Sequence, residues 1–261
     1  ATSLGKPARQ KSGSGSGLFD LTPDDEQQMF IEAGQAFAAD QIRPAASGAD
    51  SEKATPAAIL EQAGEIGVNT LGIPEEFDGV LTEQSTVTWT LMAEALAHGD
   101  MGIAYAALAP GAAATAIGRW GDPDQQASYL PAFTGENPPA AALAILEPKP
   151  LFDPFNPDTR ATAGTGGDWI LNGVKSMVAR PGECELFIVA AATGDARPTL
   201  FIIESGSEGL TFEAEPAMGL RAASTGRLVL EDVRVPASAM LGEEGDRARI
   251  YADCVSGSRI A

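Results

Sequence analysis

The chain has 261 residues, of which 44% are hydrophobic and 20% are charged, a composition typical of globular proteins with one large domain or two smaller ones. Acidic residues outnumber basic ones by 36 to 17, and the net charge of -19 disfavours binding to nucleic acid or to an anionic membrane. Two cysteines, Cys184 and Cys254, and a single histidine, His98, support neither a zinc site nor a disulfide framework. A hydrolase triad would have to use His98. This residue lies at a predicted helix C-terminus, where interaction with the helix dipole is the structural alternative to a catalytic role.

Short apolar stretches and the N-terminal composition bear on the location of the protein. The runs AAALAIL before Glu147 and LFIVAAAT from Leu186 fall far short of a membrane span, and the N-terminus lacks the apolar core of a signal peptide. Residues 1–17 are rich in glycine and serine and predict a flexible tail without chemistry. We therefore expect a cytoplasmic protein with reduced thiols and no membrane span.

Residues 18–139 carry five stretches with the period of amphipathic helices, and the first two have clear end signals. The first predicted helix begins with Thr22 as N-cap and is stopped by Pro44. The second opens at Thr55, closes at Gly67 and is followed by a loop. These signals predict two amphipathic helices at the start of the domain.

Three more helices complete the predicted N-terminal domain. The third runs from Thr82 to Gly99. The fourth, MGIAYAALAPGAAATAIGRW, consists mostly of small residues, which allow a close helix approach or leave room for a ligand. The fifth starts at the Asp122 cap. Residues 18–139 are thus predicted to form an all-α domain.

After about residue 140 the hydrophobic period shifts towards two residues, and turn dipeptides follow at short intervals. WILNGVKSMVA predicts a hairpin that turns at Asn172 and Gly173. Four further strands are predicted in ELFIVAAAT, PTLFIIES, LTFEAEP and RLVLEDVRVP. The fold class is therefore α+β, with the N-terminal all-α helical domain followed by a small β-barrel or sandwich domain over residues 140–242, and residues 243–261 begin a truncated helical domain.

Five phrases in chain order carry a resemblance to one family. They are IGVNTLGIPEEFDGV, GDPDQQASYLPAFTGE, LEP, DWILNGVKS and MGLRAASTGRLVLEDVRVPASAMLGEEG. The chain resembles the acyl-CoA dehydrogenases over roughly residues 18 to 261, which match that family's N-terminal helical and middle β domains. The resemblance implies a flavoprotein that holds FAD between the β domain and a C-terminal helical bundle, with an acyl-CoA thioester against the flavin. It also implies a carboxylate base that removes the α-proton, hydride transfer to the flavin, and an electron-transfer flavoprotein as partner.

The turn AILEPKPLFDP departs from the pattern of this family at the positions that face the cofactor. Leu146 replaces a threonine that donates to the flavin. Lys149, Leu151 and Phe152 stand where the family has two glycines and a serine. The residues that match are Glu147, Pro148 and Asp153. By resemblance, Glu147 is structural and not a base, the backbone of Leu146 binds the flavin, and Lys149 is placed to meet a phosphate or is structural.

A second segment that faces the flavin in this family carries Met177, Val178 and Ala179 in place of an aromatic residue and a threonine. The resemblance assigns cofactor contact to these positions, with the Val178 amide as a replacement donor. Arg259 matches an arginine that reaches towards the FAD of a partner subunit. The position before it, where a minority of the family carries the base, holds Ser258. No catalytic residue is therefore assigned in this chain.

Ile103, Tyr105 and Leu108 on the small-residue helix are candidates to line an acyl channel, and a packed helical core is the alternative. The first functional hypothesis is FAD-dependent α,β-dehydrogenation of an acyl-CoA thioester. The alternative is a non-catalytic partner subunit, with a degenerate FAD site, in an oligomer with other acyl-CoA dehydrogenase-like chains. A flavin oxidase or monooxygenase of the same superfamily is a third interpretation.

Overall fold

The computed structural model describes residues 22–81, 85–194, 198–242 and 245–260, the last two residues of these by their backbone only. The helices in these residues are α1 Asp25–Phe37, α2 Arg43–Glu52, α3 Ala57–Glu65, α4 Thr86–Gly99, α5 Met101–Trp120, α6 Pro123–Phe133 and α7 Arg247–Ile260. The strands are β1 Ala141–Ala144, β2 Arg160–Ala163, β3 Trp169–Val178, β4 Leu186–Ala192, β5 Pro198–Glu204, β6 Leu210–Ala214 and β7 Gly226–Val235. A helical half therefore precedes a β half, as the sequence predicts.

The first helix starts later and continues further than the sequence predicts. Its N-cap is Asp24, whose carboxylate accepts from the Gln27 N–H at 2.8 Å, while the Gln27 side chain accepts from the Asp24 N–H at 3.2 Å. Pro44 does not stop the helix, so that prediction is wrong. A π-helical turn, Ala38–Ile42, follows α1 and leads into α2, where Pro44 lies in the first turn and its missing N–H is tolerated.

The remaining helices follow the predicted signals closely. Gly67, with φ +83°, ends the α3 region in the left-handed conformation that favours glycine. The predicted start of α4 at Thr82 lies outside the described residues, and within them Ser85 caps α4 by accepting from the Thr88 N–H at 3.3 Å. Asp122 caps α6 through a capping box with Gln125. Local capping chemistry therefore sets most helix ends.

Helix α5 is the central helix of the fold. Among the described residues it is the one helix long and apolar enough to cross a membrane by length and composition, and 67% of its most apolar window is buried inside the protein. Its N-terminal half packs in the helical core around Ile103 and Ala107, and its C-terminal half packs against the sheet through Ala114 and Ile117. The helix therefore joins the two halves of the chain.

The strands form one curled mixed sheet with the order β1-β4-β2-β3-β7-β6. Outside this order, β5 also pairs with β4. β1 runs parallel to β4, and Arg160 of β2 also pairs in parallel with Ala192 of β4. The other pairings are antiparallel. All residues of β4 are buried, because one face packs on α5, α6 and α7 while the other faces the interior of the curl. The α+β class is confirmed.

The predicted hairpin at Asn172 and Gly173 is wrong, because β3 continues through both residues with an irregularity in its register against β7. The Asn172 amide donates to the Asp232 carboxylate at 3.0 Å and accepts from the Asp232 N–H at 2.9 Å. Gly173 has φ +155°, and a Cβ there would lie 2.5 Å from Oγ1 of Thr159. The dipeptide serves a bulge and a close strand crossing instead of a turn.

Candidate functional site

A cavity of about 390 Å³ lies where α5 and α7 meet the ends of β1 and β3. Its wall is mainly apolar, and three alanines, Ala109, Ala112 and Ala142, leave the space open between helix and sheet. Val255 closes it from α7. Trp89 and Ala93 of α4 complete the wall. An apolar pocket bounded by these five elements is suited to a flat ring or an acyl chain.

A second cavity of about 370 Å³ adjoins the first, and the two walls share Trp89, Ala112, Leu143 and Ser258. Its outer end is more polar and includes Arg119, whose guanidinium lies 5.8 Å from the ring centroid of Trp120. The two cavities therefore lie side by side along α5 and α7.

The structure brings three of the predicted cofactor residues to the first cavity. Leu146, Met177 and Ala179 line it. Val178 does not, because its side chain is buried in the interior of the sheet. The backbone of Arg259 lies in α7, and its side chain is outside the described part of the molecule.

The predicted substrate residues divide in the same way. Tyr105 and Leu108 line the cavity. Ile103 does not, because it is fully buried in the helical core with Leu96 and Ala107, so the structure favours the core alternative for this residue. The acyl-channel interpretation therefore keeps two of its three residues.

Glu147 forms a buried ion pair directly behind the cavity wall. Its Oε1 lies 2.9 Å from Nζ of Lys175, and the two side chains are 3% and 0% exposed. The carboxylate also accepts from the N–H of Asp158 at 2.6 Å, and from the N–H and hydroxyl of Thr159 at 2.9 and 2.6 Å. Four protein donors therefore hold the carboxylate in place, and Glu147 is structural, as the resemblance implies.

Burial shapes the protonation of this pair. Burial lowers the pKa of Lys175 to about 8, although Glu147 partly offsets the effect. Burial alone would raise the pKa of Glu147, but the Lys175 charge and the hydrogen bonds from Thr159 and Asp158 outweigh it and lower that pKa. Lys175 also donates to the Ile145 carbonyl at 3.3 Å, so the pair ties the chain after β1 to β3.

The altered turn places its residues very differently. Leu151 is fully exposed and has φ +54°, a left-handed conformation that suits the glycine of the family pattern. Phe152 lines the cavity and packs against the adjoining core. Lys149 pairs with Asp158 at 2.9 Å, and both side chains are well exposed. Bulk has therefore replaced the small residues, while one cation is available at the turn.

Met177 is the most constrained residue of the cavity wall. Its φ is +56°, its N–H donates to Oε2 of Glu215 at 2.8 Å, and its carbonyl accepts from the Tyr105 hydroxyl at 2.8 Å. Sequence reasoning missed Glu215, because nothing in LTFEAEP distinguishes it from the solvent-facing Glu213 two positions earlier. Only the fold brings it against β3.

Other candidate groups carry no chemistry of their own. The described residues contain no cluster of three or more His, Cys, Asp or Glu side chains that could hold a metal ion. Cys184 and Cys254 are free and buried, and burial raises the pKa of each to about 12. His98 lies beside Arg43, which donates to the His98 carbonyl.

The fold and the cavity together define the class of protein. It consists of a helical domain joined to a curled sheet, and elements of both line one cavity. Two family models match this chain: the acyl-CoA dehydrogenase N-terminal domain over residues 24–136 and the acyl-CoA dehydrogenase middle domain over residues 142–233. The chain belongs to the acyl-CoA dehydrogenase family.

Individual relatives are similar at moderate identity. Acryloyl-CoA reductase (NADH) of Anaerotignum propionicum is 30% identical, over 90% of this chain and 60% of the relative. A short-chain specific acyl-CoA dehydrogenase of Megasphaera elsdenii is also 30% identical, over 93% of this chain and 64% of the relative. The chain thus spans about 60% of the length of such relatives.

Solved structures agree with the fold. Butyryl-CoA dehydrogenase from Megasphaera elsdenii superimposes with a TM-score of 0.80 at 27% identity, over 92% of this chain and 64% of that one. Glutaryl-CoA dehydrogenase from Mycobacterium smegmatis, in complex with FADH2, gives 0.78 at 25% identity, over 92% and 60%. The helical domain and curled sheet are therefore those of the family.

Proposed function

We propose that this chain is the cofactor-binding part of a FAD-dependent flavoprotein that removes hydrogen from the α and β carbons of an acyl-CoA thioester. The observation that carries the proposal is the apolar cavity between β1, β3, α5 and α7, in a chain of this family. Solved relatives bound to FADH2 or FAD support a flavin as its ligand.

The residues of the cavity fit the flavin ring better than they fit the phosphates. Small apolar residues such as Ala112 and Ala142 leave a ring-sized space. The Leu146 carbonyl accepts from the Ser176 N–H at 2.9 Å, and the Leu146 N–H has no partner within the described residues. For the phosphates, Lys149 is the cation of the turn, and its exposed pair with Asp158 is worth at most about 1 kcal/mol. Leu146 would therefore meet the flavin ring, and Lys149 would meet the phosphates.

Bound FAD would supply a hydride acceptor for the β-carbon of the thioester. The chain itself would hold and enclose the substrate, because Tyr105 and Leu108 line the cavity and the apolar wall excludes water. The α-proton requires a base, and the described residues that line the first cavity include no carboxylate. Asp253 lies in the wall of the second cavity and is paired with Arg249 at 3.3 Å. We propose that the base comes from a segment beyond this chain or from another subunit.

The second candidate is a non-catalytic subunit that completes or stabilises an active partner. It is favoured by one specific pattern: Glu147 matches the family motif and forms a buried ion pair, whereas Leu146, Leu151 and Phe152 replace the residues that face the cofactor. Under either candidate we propose that the chain works in a homo- or hetero-oligomer with related chains, in the cytoplasm. The assembled enzyme would act on an acyl-CoA substrate and pass electrons to an electron-transfer flavoprotein.

A visible absorption spectrum of the purified protein tests the first candidate. We expect flavin bands after FAD is added and free FAD is removed, and a protein that stays colourless would refute FAD binding. The matched variant changes Leu146→Thr and residues 149–152 to Gly-Ala-Gly-Ser, which restores the family turn.

If only this variant binds FAD, the second candidate is supported, because contact loss alone would then explain the failure of the natural chain. If neither protein binds FAD, contact loss is not the sole cause and the first candidate is refuted for this chain. Binding by both supports the first candidate.

A further inference from the structure

Met177 adopts a backbone conformation that its side chain disfavours, at a place where the backbone forms part of the cavity wall. Its φ of +56° lies in the left-handed region, which a residue with a Cβ rarely adopts without support from its surroundings. It stands at the end of β3 and lines the cavity. Some contact must therefore hold it there.

On the N–H side that contact is Glu215. Its carboxylate accepts from the Met177 N–H at 2.8 Å and from the Ser176 hydroxyl at 2.8 and 2.9 Å, and Arg227 lies 3.2 Å away. Burial would raise the pKa of Glu215, but the hydrogen bonds from Met177 and Ser176 and the Arg227 charge outweigh it and lower that pKa. A charged acceptor therefore grips two successive residues of β3.

On the carbonyl side the contact is Tyr105, which comes from α5 across the cavity. Its hydroxyl donates to the Met177 carbonyl at 2.8 Å, while its ring lines the same cavity. The hydroxyl is therefore committed to the protein, and its donor proton is not available to a substrate. The two peptide groups of Met177 are held from two different elements.

We propose that Glu215 and Tyr105 are positioning residues that clamp the two peptide groups of Met177 and so fix the cavity wall against which the flavin of the proposed function lies. The inference rests on that proposed function for its ligand, and on the hydrogen bonds alone for the clamp. Without the clamp, Met177 relaxes towards an extended conformation and the wall changes shape.

Amide hydrogen exchange at residues 176–178, measured without FAD, tests the clamp itself. The variants are Tyr105→Phe and Glu215→Ala, and Glu215→Gln serves as the conservative variant that keeps an acceptor. Tyr129→Phe and Glu213→Ala are matched controls. Tyr129 bonds to Glu204 outside the cavity, and Glu213 is exposed on β6, two positions before Glu215.

We expect exchange about fivefold faster in Tyr105→Phe, faster still in Glu215→Ala, and near the natural rate in Glu215→Gln and both controls. Exchange in Tyr105→Phe and Glu215→Ala that matches the controls would overturn the clamp. The second measurement is the dissociation constant of FAD, followed by flavin fluorescence, which we expect to rise about fivefold in Tyr105→Phe.

The two measurements separate the two proposals. If the natural protein binds no FAD, the proposed function fails, while the exchange rates still decide whether the clamp exists. If exchange accelerates and the FAD dissociation constant stays unchanged, Glu215 and Tyr105 do not position the wall for the flavin, and the inference is overturned.

Discussion

The buried pair of Glu147 and Lys175 allows a sharp test, because the chain contains an exposed pair of the same length. Lys149 and Asp158 are also joined at 2.9 Å, but their side chains are 39% and 68% exposed, against 0% and 3% for Lys175 and Glu147. Burial is therefore the main difference between the two pairs. The perturbation is Lys175→Met, with Lys149→Met as the matched control.

The expected cost follows from what each substitution leaves behind. Lys175→Met strands the Glu147 carboxylate in the interior, and breaking a buried pair in this way costs about 3–5 kcal/mol. The hydrogen bonds from Asp158 and Thr159 persist and place the expected value near the lower end, at about 3 kcal/mol. Lys149→Met should cost at most about 1 kcal/mol. Urea unfolding followed by circular dichroism measures both values.

The same pair predicts a pH dependence of stability. Because the pKa of Lys175 is about 8 in the folded protein and 10.5 is its ordinary value, the unfolded chain binds more protons at this site between these pH values. Stability from this group is thus present above about pH 10.5 and is lost as the pH falls to about 8. The advantage of the natural protein over Lys175→Met in unfolding free energy should therefore increase as the pH is raised from about 8 to 10.5.

Two results would refute the reasoning about this pair. A Lys175→Met variant no less stable than Lys149→Met would show that burial does not decide the cost. A difference in unfolding free energy that is flat or shrinks between pH 8 and pH 10.5 would contradict the lowered pKa of Lys175.

Two further predictions concern backbone and thiols. Gly173→Ala should lower the free energy of unfolding by about 1–3 kcal/mol, because the new Cβ meets Thr159. Gly206→Ala is the control, since a Cβ there enters open space, and it should change the value by less than about 0.5 kcal/mol. Chemical denaturation measures both values. Cys184 and Cys254 should react with Ellman's reagent at pH 8 far more slowly in the folded than in the unfolded protein, because burial raises the pKa of both thiols to about 12. Rapid labelling of the folded protein would contradict their burial.

Much of the fold follows from local signals in the sequence. The Asp122 cap and the left-handed Gly67 act within a few residues of their own positions, so their helices are predicted correctly. The Asn172 and Gly173 pair fails as a hairpin signal because contacts with Asp232 and Thr159, far along the chain, decide its conformation. Long-range partners override a dipeptide preference in this case.

The site shows the same division. Tyr105 and Leu108 are three residues apart and share a face of α5, whereas Ile103 lies about 200° around the helix from Tyr105 and faces the core. Strand alternation separates Met177 from Val178 in a similar way. Periodicity is therefore enough to sort these candidates. Glu215 has no such signal. It follows β6, and it comes close to β3 because β7 pairs with both β6 and β3.

The parallel pairing of β1 with β4 has a consequence for the order of folding. Ala141 pairs with Leu186, so the strand that leads to Leu146 lacks its neighbour until β2, β3 and β4 have all been made. The hydrogen bonds within the helices before it join residues only four positions apart, and such local contacts form early. In a stopped-flow experiment, the helical signal should therefore appear before the protection of amides in β1. The ligand cavity is then among the last parts of the molecule to form, and a ligand that binds there would select chains whose folding is complete.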